Sequence, residues 1–227
     1  MEEKITLQQQ KEFYDKKYTE AWLHENESYY KWIISIAGKH FKSGNFLDVA
    51  CGEGFALVAA KEKGFEPHGT DISTTALKRA AQMCKGAKLT ECPADKIPYP
   101  DKYFKVVTCL GSLEHFADQK KSLAEMKRIT DDDGILIATL PNKRFIGDIV
   151  KGAIYKKKQT HDQPLERFYT LREGKKIFTE NGFNVIKVKK YNSPVSLKGR
   201  FVWRRVLRHM VPTQLSYHFC FVCEKKG

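Results

Sequence analysis

Between residues 44 and 141, short apolar runs alternate with segments of helical period, and this restricts the fold more than any other feature of the chain. "NFLDVA", "FEPHGTDI", "AKLTEC", "YFKVVTCL" and "GILIATLP" read as strands. "EGFALVAAKEKG", "STTALKRAAQMCKG" and "DQKKSLAEMKRIT" read as helices between them. Ser73 or Thr74 and Asp118 stand as N-caps, with Gly64 and Gly86 as stops. Strands joined by helices of about a dozen residues need crossover connections, so the sheet is expected to be mainly parallel with helices on both faces. Two earlier segments, "EFYDKKYTEAWL" and "SYYKWIISIAGKHF", carry aromatics three or four apart and predict helices ahead of the first strand.

After Pro141 the rhythm breaks. "NKRFIGDIVKGAIYKKKQTHDQPLERFYT" is too long for a plain connection and reads as an insertion over the ligand-binding edge. "LREGKKIFTENG" resumes as a helix and "FNVIKVKKY" as a sixth strand. "SPVSLKGRFVWRRVLRHMVPTQL" is a second insertion, and "SYHFCFVCEK" a closing strand. No linker divides the chain, so one domain is expected. Its parts are an N-terminal helical lid (1–43), a core (44–141) and insertions at 143–170 and 194–214.

At 227 residues and 41% hydrophobic content, the chain can bury one good core. No apolar run approaches the roughly 18 residues of a bilayer span. The polar start "MEEKITLQQQKEF" lacks the layout of a secretory signal, so a cytoplasmic location is expected. Six cysteines lie scattered in apolar contexts and read as buried thiols. Cys220 and Cys223 form a CxxC, but on a strand residues three apart face opposite ways, so no metal is expected.

The net charge of +13 is uneven: residues 1–141 hold 20 Lys and Arg against 21 Asp and Glu, whereas residues 142–227 hold 20 against 6. Such an excess points to an anionic partner: a phosphorylated or otherwise anionic small molecule, a membrane surface or a nucleic acid. If helical, "RFIGDIVKGAIYKKK" and "FVWRRVLRHMV" are amphipathic with basic outer faces. That suits contact with anionic lipid or a lid over a greasy, charged acceptor; packing on the domain itself is the structural alternative.

In a parallel sheet of this kind, ligands sit beyond the carboxyl ends of the strands. The first strand ends near Ala50, so Cys51-Gly52-Glu53-Gly54 forms the turn there, and its glycines let a ligand approach the backbone. Asp71 ends the second strand, where a carboxylate accepts both hydroxyls of a ribose, and Ile72 follows it. A dinucleotide fingerprint needs a third glycine at 57, where this chain has Leu57, and a P-loop needs Gly-Lys-Ser/Thr. A mononucleoside site remains.

The stretch Asp48-Val49-Ala50-Cys51-Gly52-Glu53-Gly54 resembles motif I of the class I S-adenosylmethionine (SAM) methyltransferases, with Ala50 in place of the first glycine. "ECPADKIPYPDKYFKVVTCLGSLEHFADQKKSLAEMKRITDDDGILIATLPN" is similar to the type 11, quinone-biosynthesis-like group, as is "ERFYTLREGKKIFTENGF". The resemblance implies a Rossmann-like doubly wound sheet of seven strands, the last antiparallel. SAM is the implied cofactor, with Asp95 on the adenine amino group, Ala94 beside the ring, and Leu110 and Leu113 in the wall. Asp48 is expected to orient the loop through backbone N–H groups.

On the acceptor side the resemblance implies Glu114 and His115, with Tyr14, Tyr18, His161, Arg167 and Tyr169 as further candidates. His115 either takes the acceptor's proton as a general base or only holds its loop. Methyl transfer from a sulfonium is an in-line displacement, so positioning and water exclusion dominate. The expected function is methyl transfer to a small molecule, anionic or lipid-linked. RNA methylation and a non-catalytic SAM-binding module are the alternatives. The chain has neither an Asn/Asp-Pro-Pro-Tyr/Phe run after the fourth strand nor a Pro-Cys pair, which disfavours base-modifying enzymes of those kinds.

Overall fold

The computed structural model describes residues 6–20, 27–145, 165–192 and 211–226. Two helices lead: α1 (Leu7–Glu20) and α2 (Glu27–His40). Then come β1 (Gly44–Val49), α3 (Phe55–Glu62), β2 (Phe65–Asp71), α4 (Thr74–Met83), β3 (Lys88–Glu91) and β4 (Phe104–Leu110). A 3-10 turn (Leu113–His115), α5 (Gln119–Ile129), β5 (Thr130–Pro141), α6 (Leu171–Glu180), β6 (Phe183–Tyr191) and β7 (His218–Lys225) complete the order. The lid insertions expected at 143–170 and 194–214 fall largely outside the described residues.

The seven strands run β3-β2-β1-β4-β5-β7-β6. Pairings among β1 to β5 are parallel, while β7 lies antiparallel between β5 and β6. The order reverses between β1 and β4, so the helices leaving those strands cover opposite faces and leave a crevice at the carboxyl edge. The caps act as read from sequence: Ser73 accepts from Ala76 N–H, and Asp118 from Lys121 N–H.

Strand alternation divides the core in two. Leu47, Val107, Phe219 and Phe221 face α5 and α6, meeting Leu123, Met126 and Phe178. Phe46, Val106, Ile137 and Val222 face α2 and α3, meeting Ile33, Ile34, Leu57 and Ala60. Cys220 belongs to the second layer and Cys223 to the first, on opposite faces of the sheet. Burying fully a side chain the size of Phe or Leu contributes about 1.5–3 kcal/mol, so these layers hold the strand ends rigidly enough to carry a site.

Candidate functional site

Beyond β1 the backbone enters the left-handed region three times, at Ala50 (φ 57), Gly52 (φ 52) and Gly54 (φ 82). A Cβ on Gly52 would lie 2.7 Å from the Tyr18 hydroxyl, and one on Gly54 would lie 3.0 Å from Ala80 Cβ. Glycine at both places is thus required by close packing as well as by φ. Ala50 takes the same conformation with a methyl group, a strain of about 1–2 kcal/mol that glycine would relieve.

The bend is anchored by Asp71. Its Oδ2 accepts from Gly52 N–H and its Oδ1 from Ser73 N–H, both at 2.9 Å. Loop orientation was expected of Asp48; instead Asp48 accepts the Thr108 hydroxyl at 2.6 Å. The physical reason is position: Asp48 lies inside β1, whose backbone groups are already in the sheet, while Asp71 ends β2 opposite the free N–H groups of the bend.

A cavity of about 340 Å³ opens here. From the sheet rim come Asp48, Ala50, Cys51, Gly52, Asp71 and Ile72; from the segment after β3 come Ala94 and Asp95, and from β4 and beyond, Leu110 and His115. Tyr14 and Tyr18 of α1 form the roof. Three polar attachments hold that roof. Asp15 accepts from the Ser73 hydroxyl (2.6 Å) and Thr75 N–H (3.0 Å). Gln10 donates to the His115 carbonyl, and Lys11 pairs with Glu91 and Thr74.

Five sequence candidates stand outside this lining. Gly54 instead caps α3 and packs on α4. Leu113 is wholly buried among Leu123, Met126 and the other residues of the α5-side core. Arg167 donates to the carbonyls of Glu114 and Phe116, tying down their loop. Tyr169 is engaged by the Gln119 side chain. Glu114 is buried, 3% exposed, and its Oε2 has no partner among the described residues. His161 lies outside the described residues.

The site's electrostatics follow from burial. It pushes the carboxyl of Asp71 up to about 6, and those of Asp48 and Glu114 up to about 8. Burial also raises the Tyr14 and Tyr18 phenols, which therefore remain proton donors at neutral pH. His115 moves the other way, below its usual value, again through burial. Its Nδ1 lies 2.5 Å from the Leu165 carbonyl, which can only accept, so Nδ1 carries the hydrogen. Nε2 keeps a lone pair, 3.9 Å from Glu114 Oε1.

Sequence reasoning missed Gln10, Lys17, Tyr30, Phe55 and Cys92, which also line the cavity. Tyr30 and Phe55 stack with ring centroids 5.6 Å apart. The aromatic spacing in α2 was the available signal, but periodicity marks which face is apolar without saying what lies against it.

A glycine bend, two acids at the rims of neighbouring strands and a crevice where the strand order reverses define a Rossmann-like nucleoside-binding protein. The comparisons narrow this. The family model described as "Methyltransferase domain", type 11, matches residues 47–138. A Burkholderia mallei ubiquinone/menaquinone biosynthesis C-methyltransferase is 36% identical over 99 residues, covering 40% of each chain. An uncharacterized Methanocaldococcus jannaschii protein is 29% identical over 88% of this chain and 86% of its own length. Among solved structures, the Burkholderia thailandensis 1,6-didemethyltoxoflavin-N1-methyltransferase, with its substrate and S-adenosylhomocysteine bound, matches with TM-score 0.64. It is 14% identical, over 89% of this chain and 80% of that one. Residues 47–138 thus match a type 11 methyltransferase domain, and SAM is the cofactor that this match and the methyltransferase neighbours support.

Proposed function

We propose that the protein transfers a methyl group from SAM to a small-molecule acceptor that is anionic or lipid-linked. The observation that carries this reading is the cavity roofed by α1 and floored by the glycine bend. Its volume lies in the range of about 300–1,000 Å³ common for small-ligand sites, and a Cβ at Gly52 would press on the Tyr18 hydroxyl that lines it. The small-molecule part is supported by the 1,6-didemethyltoxoflavin bound to the toxoflavin-type enzyme and by the quinone-biosynthesis relative. The anionic part is supported by the charge excess of residues 142–227.

SAM supplies an electrophilic methyl on a sulfonium. Asp71 would hold the ribose hydroxyls on the lone pairs left by Gly52 and Ser73, Asp95 would accept the adenine amino group, and Ala94, Ile72 and Leu110 would flank the base. Tyr14 and Tyr18 close the roof against water, their faces suited to a cation. His115 Nε2, neutral at physiological pH, takes the acceptor's proton. We assign residues 44–141 to cofactor binding and the N-terminal helices to the lid, with the insertions on the acceptor side.

The test is tritiated-methyl transfer from SAM into fractionated cell extract. Label in the lipid or small-metabolite fraction is expected; label confined to RNA, or no transfer at all, overturns the reading. Within the site, His115→Ala is expected to lower kcat at least about 100-fold, the span of general-base catalysis, with SAM affinity unchanged by calorimetry.

A further inference from the structure

A second, more open cleft of about 550 Å³ lies beside the carboxyl end of β5, lined by Arg144, Thr170, Leu171, Arg172, Lys175 and Gln214. Three of its six residues are cations and none is a carboxylate. Arg144, Arg172 and Lys175 form no ion pair with a described residue. The nearby acid, Glu173, is already engaged: its carboxylate accepts from Thr170 N–H (2.7 Å) and the Thr170 hydroxyl (2.8 Å) in the capping box that starts α6. Cations in the first turns of a helix oppose its dipole and are unfavourable unless something negative offsets them.

The cleft rests on a buried support. Asn142 is 3% exposed. Its Oδ1 accepts Arg144 N–H at 2.9 Å, while its Nδ2 donates to the carbonyls of Gln214 (2.9 Å) and Ser216 (2.6 Å). Asn142 also bridges to Tyr169, the residue before Thr170. One amide thus fixes the segments that carry Arg144 and Gln214, and its bridge to Tyr169 holds the start of α6, which carries Arg172 and Lys175. Elsewhere on the surface, basic residues such as Lys31, Lys102 and Lys105 are neutralised by acids. Among the described residues, the cleft gathers three cations of the basic half on a fixed frame with no carboxylate in its lining; the nearby acid, Glu173, is bound to Thr170 and feels Arg144 and Lys143 only through space.

We infer that the cleft framed by Arg144, Arg172 and Lys175 is a binding site for a phosphate or diphosphate group. Two guanidinium forks and an ammonium match a multiply charged tetrahedral oxyanion, which guanidinium binds bidentately. Tyr169, the residue before Thr170 of the cleft, is held by Gln119, which also reaches the Leu113 carbonyl two residues before the cavity's His115; resting on the reading above, the cleft takes the anionic part of the acceptor. Anion binding itself does not depend on methyl transfer.

The experiment titrates the full chain with inorganic pyrophosphate by calorimetry and, separately, measures sedimentation with vesicles of anionic phosphatidylglycerol against neutral phosphatidylcholine. Arg172→Gln/Lys175→Gln is compared with a control of equal charge change, Lys39→Gln/Lys187→Gln, both checked for folding by circular dichroism. Charge-assisted hydrogen bonds are lost with each cation, so pyrophosphate affinity is expected to fall at least about tenfold in the first variant and to change little in the control. Soluble pyrophosphate binding that is lost in this way identifies a free phosphate ester as the source. Binding to anionic vesicles alone, lost in the same variant, identifies a lipid headgroup. No binding to either probe overturns the inference, as does equal weakening in both variants, or binding of a 20-nucleotide RNA that neither variant affects. S-adenosylhomocysteine affinity, measured alongside, is expected to be unchanged. Its loss with anion binding intact would indict the methyltransferase reading instead.

Discussion

The cavity's floor and its roof are built differently. The floor is the sheet rim, where Asp48, Asp71 and the glycine bend are fixed by parallel strands and two apolar layers. The roof is α1, a polar helix that buries only Gln10 and Tyr18 and is held by contacts from Gln10, Lys11 and Asp15. The floor is backed by two fully buried apolar layers, whereas the roof's polar contacts are worth about 0.5–1.5 kcal/mol each. On the proposed reading, recognition geometry is stored in the rim and closure in the helix.

The strongest way to break this contrast is to remove Asp71. Asp71→Ala leaves the N–H groups of Gly52 and Ser73 unmet, costing about 1–3 kcal/mol each in stability. SAM affinity should fall at least about tenfold with the loss of charged hydrogen bonds. Urea unfolding and calorimetry read the two effects, and a loss of less than threefold in affinity would show that the rim does not hold the ribose.

Joining floor to roof, Gly52→Ala adds a methyl against the Tyr18 hydroxyl and should cost about 1–2 kcal/mol from φ alone, with a further loss from the clash. Tyr18→Phe should recover the second part only. A double-mutant cycle in urea measures that coupling.

The pH dependence sharpens the floor's side. Asp48 and Glu114 have folded values near 8, above their unfolded ones, so the stability they contribute is fully present at low pH and is lost as pH rises through 8. Asp48→Asn, which keeps an acceptor for Thr108, should therefore be more stabilising at pH 8.5 than at pH 5, by at least about 1 kcal/mol, the equivalent of one pKa unit. Equal effects at the two pH values would mean that Asp48 is ionised throughout. SAM affinity should decline below pH 6 as Asp71 takes a proton.

On the roof's side, Asp15→Ala removes the link to Ser73 and Thr75. It should weaken SAM binding by a few fold while changing unfolding free energy by about 1 kcal/mol or less. The smallest effect is Ala50→Gly: relief of left-handed strain, less the backbone entropy of glycine, should stabilise by up to about 1 kcal/mol.

By itself the sequence determined the strand and helix order, the caps at Ser73 and Asp118, and the glycine bend with Asp71, because each depends on local periodicity or on a turn that only certain residues allow. Only the tertiary structure decided which carboxylate orients the bend, because Asp48 and Asp71 are equally acidic and differ in the N–H groups the strands bring near them. The fold also set Leu113 and Glu114 in the interior beside a lining histidine, and turned Arg144, Arg172 and Lys175 toward one cleft. Residues 142 and 169 meet through an isolated bridge that no local pattern encodes, since long-range contacts are chosen by how whole layers pack.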